Sequence, residues 1–192
     1  MKSRVIACIA ATAAIMLSGC AQNAPENISQ NFSEDNKEYA PELMFDYFRS
    51  DDMSWEETKV FSIPEFSDVD FRWNYERIVM IKESGEEAQL FWGMPVWGVY
   101  LADLNGDGKR EICSTVSMGS GIVDERVYAY DYANGKLYAL VDRFMNNYRL
   151  ELRDGILMYV KYPERTPASS DREEISEALT LDKMTEVNSS EI

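Results

Sequence analysis

Asp103-Leu104-Asn105-Gly106-Asp107-Gly108-Lys109-Arg110-Glu111 places side-chain oxygens at positions 1, 3, 5 and 9 of a nine-residue stretch, with the Lys109 carbonyl at position 7. Calcium is a hard cation that takes about six to eight oxygen ligands in a flexible geometry. Alternating carboxylates and amides around a glycine-permitted bend at Gly108 suit it. The candidate ligands are therefore Asp103, Asn105, Asp107, the carbonyl of Lys109, and Glu111. The expected role of the ion is structural, pinning two strands together and raising stability through linkage. Catalysis would need an open coordination position and a proton-transfer partner nearby. The same residues also suit a polar hairpin connection, in which Asp103 and Asn105 bond the local backbone and Gly106 and Gly108 serve the turn.

The segment resembles the Asp-x-Asn-x-Asp-Gly loops of FG-GAP and VCBS-type β-hairpins and, more distantly, those of dockerins and EF-hands. It departs from the EF-hand at Arg110, where that loop has an apolar residue, and at Ser114, where it has a bidentate acid. The flanking residues read as strands, so a strand-loop-strand calcium site is expected rather than an EF-hand.

Much other chemistry is excluded by residue type. The chain has no histidine, which removes Ser-His-Asp and Cys-His catalysis and histidine-ligated zinc or iron. Of three cysteines, Cys8 and Cys20 belong to the N-terminal segment described below, leaving Cys113 as a single thiol, best kept buried. The 34 acidic residues keep an acid-pair hydrolase acting on envelope glycan open as an alternative, although so many acids make any chosen pair uninformative. Met118-Gly119-Ser120-Gly121 reads as a turn rather than a phosphate loop, since no helix follows it. Trp73, Trp92 and Trp97 read first as core and cross-strand aromatics of a sheet.

What must position the loop is antiparallel sheet. From Trp55 onward apolar residues recur with period two and are rich in aromatic and β-branched types. Strands are expected over 59–63, 69–73, 78–82, 88–92 and 97–102, with a last one near 178–181. Two hairpins stand out, 127–130 with 137–140 around Asn134-Gly135, and 148–152 with 156–160 around Asp154-Gly155, the Gly supplying positive φ for a tight turn. Short strands at spacings of about ten residues predict a mainly β fold, an antiparallel meander forming a sandwich or barrel-like sheet. Before it, Leu43, Met44, Tyr47 and Phe48 follow Pro41 at helix-like spacing, predicting one short N-terminal helix over 41–52.

The N-terminus carries an address. Lys2 and Arg4 precede an apolar run from Val5 to Met16, too short for a bilayer and right for an export signal. Leu17-Ser18-Gly19-Cys20 then resembles the bacterial lipobox, which implies cleavage after residue 19 and a covalent diacylglycerol on Cys20. Removing Lys2 and Arg4 from the 19 basic residues leaves 17 against 34 acids, a formal charge of −17. Nucleic acid is then an unsuitable partner, and anionic lipid and phosphate-rich polymers are repelled. Residues 21–38, polar and poor in apolar side chains, are expected to form a flexible tether with a reach of about 25 Å.

A longer stretch is similar to an extracytoplasmic domain of clostridial and related Gram-positive bacteria, also found at the C-terminus of BlaR-type membrane sensor metallopeptidases. The residues that carry the similarity are Phe71-Arg72-Trp73, Gly93-Met94-Pro95-Val96-Trp97, Val99 through Lys109, Val116 through Asp124, and Tyr130-Asp131-Tyr132. It covers about residues 56–165 and implies a β-rich module on the outer membrane face. The His-Glu-x-x-His helix of the metallopeptidase part is missing, so neither protease activity nor antibiotic binding is implied. The expected organisation is a signal over 1–19, lipidated Cys20 and tether over 20–40, the helix over 41–52, a β domain over 55–187 and a disordered tail over 188–192. The expected function is that of a membrane-anchored, non-enzymatic, monomeric module that binds or senses a cell-surface protein or glycan.

Overall fold

The computed structural model describes residues 39–47, 54–119, 123–142, 146–163 and 175–188. The export signal, Cys20, the tether over 21–38 and residues 189–192 of the tail lie outside them. Thirteen strands follow in chain order: β1 (Glu42–Asp46), β2 (Thr58–Ser62), β3 (Val69–Asn74), β4 (Arg77–Lys82), β5 (Glu87–Trp92), β6 (Gly98–Ala102), β7 (Glu111–Ser117), β8 (Glu125–Asp131), β9 (Lys136–Leu140), β10 (Asn146–Arg153), β11 (Ile156–Pro163), β12 (Ile175–Ala178) and β13 (Thr185–Val187). A 3₁₀ turn, Leu181–Lys183, precedes β13. The fold is mainly β and antiparallel, as the alternation predicts, and among the described residues no helix is long and apolar enough to cross a membrane.

The strands form three open meanders. β2-β3-β4-β5 make one sheet, β10-β11-β12 another, and β6-β7-β8-β9 the middle of a six-stranded sheet edged by β1 and β13. None closes into a barrel. Alternation along each strand explains the layering. Val99 and Leu101 of β6, Ile112 and Val116 of β7 and Tyr128 of β8 pack on Phe61, Phe71, Trp73, Ile78 and Phe91 of the four-stranded sheet. The intervening Tyr100, Ala102, Cys113, Val127 and Ala129 pack on Tyr148, Leu150, Leu157 and Tyr159 of the three-stranded sheet. The six-stranded sheet is thus covered on both faces, giving three layers around two cores.

This covering explains a strand that alternation does not reveal. β7 reads Glu-Ile-Cys-Ser-Thr-Val-Ser, yet all seven residues are buried. Its polar side chains bond inward: Ser114 Oγ donates to the Gly98 carbonyl at 2.7 Å and Thr115 Oγ1 accepts the Leu150 N–H at 2.9 Å. A strand buried on both faces loses its polar-out signature.

The N-terminal helix expected over 41–52 is corrected where it is described: Glu42–Asp46 is strand β1, antiparallel to β6, and residues 48–52 lie outside the described residues. A β-bulge between Leu43 and Phe45 shifts the register. Leu43 therefore packs toward the second core while Met44, Phe45 and Tyr47 pack toward the first. An extra residue in a strand puts successive apolar side chains on one face, which mimics helical spacing. Phe45 meets the Trp73 ring edge-on at 5.0 Å, a contact that rewards the strand over an isolated helix. The close approach depends on Gly98, where an added Cβ would lie 2.6 Å from the Phe45 carbonyl oxygen.

Both expected hairpins form, with different turns. Asp154 and Gly155 have φ of +51° and +77° and make the two-residue turn between Arg153 and Ile156. At Asn134-Gly135 only Gly135 has positive φ, and the connection is four residues long because Asp131 pairs with Lys136. Asp131 caps it by accepting the Asn134 N–H at 3.0 Å and the Asn134 side-chain amide at 2.7 Å. The lone thiol, Cys113, is fully buried, and burial pushes its pKa well up.

Candidate functional site

Residues 103–110 connect the neighbouring strands β6 and β7, with Glu111 the first residue of β7, and Gly106 and Gly108 take φ of +76° and +82°, a conformation that L side chains resist. The turn folds backbone N–H groups onto its own side chains. Asp103 Oδ1 accepts from Gly106 N at 2.7 Å and Asp107 N at 3.2 Å, and Oδ2 accepts from Gly108 N at 2.8 Å. Asn105 Oδ1 accepts from Asp107 N, and Asp107 Oδ1 from Lys109 N, both at 2.8 Å. Glu111 reaches back from β7, with Oε2 accepting the Leu104 N–H at 2.7 Å and Oε1 the Asn105 Nδ2–H at 3.1 Å.

The expected ligands Asp103, Asn105, Asp107 and Glu111 thus share one hydrogen-bonded loop. Among the described residues, however, no three Asp, Glu, Cys or His side chains converge closely enough to hold a metal ion. The donor chemistry fits calcium in kind. The Asn105 amide, though, turns its N–H side toward Glu111 and Asp107, and the Asp103 oxygens already receive backbone N–H groups. Asn105 to Lys109 are exposed, whereas Glu111 is 1% exposed. Burial first, then the charges of Asp131 and Asp103, raise the Glu111 pKa to about 8 against the pull of the Leu104 hydrogen bond. No Lys or Arg among the described residues forms an ion pair with it.

Arg110, which breaks the EF-hand pattern, has a role that the sequence reading does not capture. It is 5% exposed and bonds Glu65 through Nε at 2.6 Å and Nη2 at 2.9 Å. Nη1 bonds Glu42 of β1 at 2.9 Å, and the guanidinium lies 4.7 Å from the Tyr39 ring centroid. The forked guanidinium matches a carboxylate in this paired way. One side chain therefore ties the loop to β1 and to the β2-β3 connection. Burial pushes the Glu65 carboxyl up, but hydrogen bonds from Arg110 and the backbone, with the arginine charge, outweigh it and hold the group below its ordinary value.

A second feature has no motif. A cavity of about 210 Å³ is lined by Asp46, Trp97, Tyr100, Thr115, Glu125, Arg149, Leu150 and Glu151. Its residues come from five strands and one connection, so no sequence window contains them. Tyr100 donates its hydroxyl to Asp46 at 2.9 Å, and Tyr162 donates to Glu125. Arg149 bonds Glu151 at 3.0 Å, which also pairs with Arg153 at 2.6 Å. Burial raises the Glu125 pKa against the charge of Arg149 and a hydrogen bond from Trp97. Burial acts the same way on Glu151, but Arg153 and Arg149 outweigh it and lower that pKa. Two carboxyls at one cavity are thereby moved in opposite directions, an arrangement sequence reasoning could not place.

Comparison with known proteins identifies no relative: no family model matches the sequence, no curated protein matches it, and no solved structure matches its fold.

Proposed function

We propose that this chain is a bacterial lipoprotein, held on the extracytoplasmic face of a Gram-positive cell membrane by a diacylglycerol on Cys20, and that its β module has a non-enzymatic binding or sensing role with a structural calcium loop at 103–111. The observation that carries the calcium reading is Glu111, a carboxylate 1% exposed, beside two other acids and without a cationic partner among the described residues. A divalent cation held by Asp103, Asn105, Asp107, the Lys109 carbonyl and Glu111 would supply that missing positive charge. The lipid reading is supported by Leu17-Ser18-Gly19-Cys20 behind its short apolar run.

Thermal melting tests the loop. Millimolar calcium raises the Tm of the full chain, and Asp103→Ala with Asp107→Ala removes the rise. An unchanged Tm instead favours the polar hairpin connection, for which the side-chain to backbone bonds of Asp103, Asn105 and Asp107 speak. Radiolabelled palmitate incorporation, lost in Cys20→Ser, tests the anchor.

The opposed pKa directions of Glu125 and Glu151 favour a second reading, an acid-pair hydrolase of envelope glycan. Size supports the non-enzymatic reading, because about 210 Å³ lies below the range of about 300 to 1,000 Å³ usual for ligand clefts and far below what a glycan chain needs. Release of sugar from purified cell wall, abolished by Glu125→Gln, would reverse that preference.

A further inference from the structure

The cavity beside β10 has a mixed character that neither the loop nor the anchor uses. Three carboxylates (Asp46, Glu125, Glu151) and one guanidinium (Arg149) line it, so an anion alone is repelled and a positive group is favoured. The guanidinium has donors to spare. Of its five N–H groups, one is bonded to Glu151, and Nε is buried with no acceptor. Arg149 is about one-third exposed, with a side-chain value of 37%, so an entering ligand can reach its outer edge. A ligand carrying only a positive charge would leave those donors unanswered. A ligand with both charges answers the carboxylates and the arginine together.

Size narrows the class. A dry cavity of about 150 Å³ holds the six carbons of benzene, so about 210 Å³ holds roughly eight non-hydrogen atoms. That is the scale of a single free amino acid and excludes a folded peptide or a glycan chain. Trp97 and Tyr100 supply aromatic wall, which favours an ammonium group over a hydrated metal ion. Thr115 Oγ1 accepts the Leu150 N–H at 2.9 Å, so two lining residues from different sheets are tied together before any ligand arrives.

We propose that this cavity is a binding site for a free zwitterionic α-amino acid, its ammonium group among Asp46 and Glu125 and its carboxylate on Arg149. The proposal rests on the binding or sensing reading above and gives it a ligand class. It makes the module a receptor for small amino compounds outside the membrane.

Isothermal titration of the full chain in detergent, with EDTA present, tests it with four probes: L-leucine, L-lysine, butylamine and butyrate. At least one amino acid binds, and butylamine and butyrate bind at least about tenfold more weakly, since each lacks one charge-assisted interaction. Arg149→Lys keeps the charge but loses the fork and weakens amino-acid binding about tenfold or more, with circular dichroism and Tm confirming the fold. Glu125→Gln gives an independent second variant with the same expected direction. No binding of either amino acid at tens of millimolar overturns the proposal. So does butylamine binding as tightly as the amino acids, or affinity unchanged in both variants. Calcium-dependent melting and palmitate incorporation are separate readouts, so failure here is distinguishable from failure of the lipoprotein and calcium readings.

Discussion

Arg110 and Glu111 are neighbours in the chain and both are almost wholly buried, yet they settle their charge in opposite ways. Arg110 faces the side of β7 on which Glu65 lies and completes a two-bond pair at 2.6 and 2.9 Å. Glu111 faces the other side, where its neighbours are Asp103, Asp131 and the Cys113 thiol, and it receives the Asn105 amide and backbone N–H groups rather than a cation. Because successive residues of a strand point to opposite faces, one residue of register separates a satisfied charge from an uncompensated one. The contrast teaches that this loop is anchored through its arginine, while its acid is where pH acts.

Breaking the paired side should have the largest effect. Arg110→Ala leaves Glu65, whose side chain is 8% exposed, without its partner, and a loss of about 3 to 5 kcal/mol is expected in urea unfolding. Arg110→Met with Glu65→Leu should recover most of it, because removing both charges also removes the burial penalty. A single-variant loss below about 1 kcal/mol would show that the pair does not anchor the loop.

The unpaired side predicts a pH dependence of defined sign. Below the ordinary glutamate range both folded and unfolded chains hold the Glu111 proton. Between about 4.5 and about 8 only the unfolded chain releases it, so stability falls as pH rises and the loss is complete above the folded value. The size is on the order of a few kcal/mol. Glu65 runs the other way: its lowered folded pKa contributes stability above the ordinary carboxylate range that is lost as pH falls through the folded value. Urea midpoints at pH 5, 7 and 9 should decline in the native chain and flatten in Glu111→Gln. A native midpoint that rises across this interval would contradict the assignment.

Smaller effects sharpen the geometry. Gly98→Ala places a Cβ against the Phe45 carbonyl oxygen and should destabilise by about 1 to 3 kcal/mol, through undocking of β1. Hydrogen exchange at the β1-β6 amides would report it, and protection unchanged from the native chain would remove β1 from the account. Glu42→Gln removes a partner of Arg110 whose side chain is 54% exposed, and a change below about 1 kcal/mol is expected. A cost equal to that of Arg110→Ala would mean that Glu42, rather than Glu65, holds the arginine.

Legibility tracked how many faces of a strand are covered. β3, with Val69, Phe71 and Trp73 inward and Asp70 outward, stands out in sequence because its other face meets solvent. β7 does not, because Ser114 and Thr115 are buried among partners from β6 and β10 that no local window contains. β1 carries helix-like spacing because a bulge breaks its period, and only pairing with β6 reveals the strand. The loop residues were legible by spacing, whereas Arg110 read as a departure until Glu65 and Glu42 came beside it.

Residue types and period determined by themselves that this is a histidine-free, acidic, antiparallel β protein with an acidic glycine turn between two strands, because turn chemistry and alternation are local properties. Tertiary structure alone decided the three layers, the partner of Arg110, the isolation of Glu111 and the cavity of Asp46, Glu125, Arg149 and Glu151. Those depend on which distant strands meet, and burial and charge compensation are set by that meeting rather than by any stretch of chain.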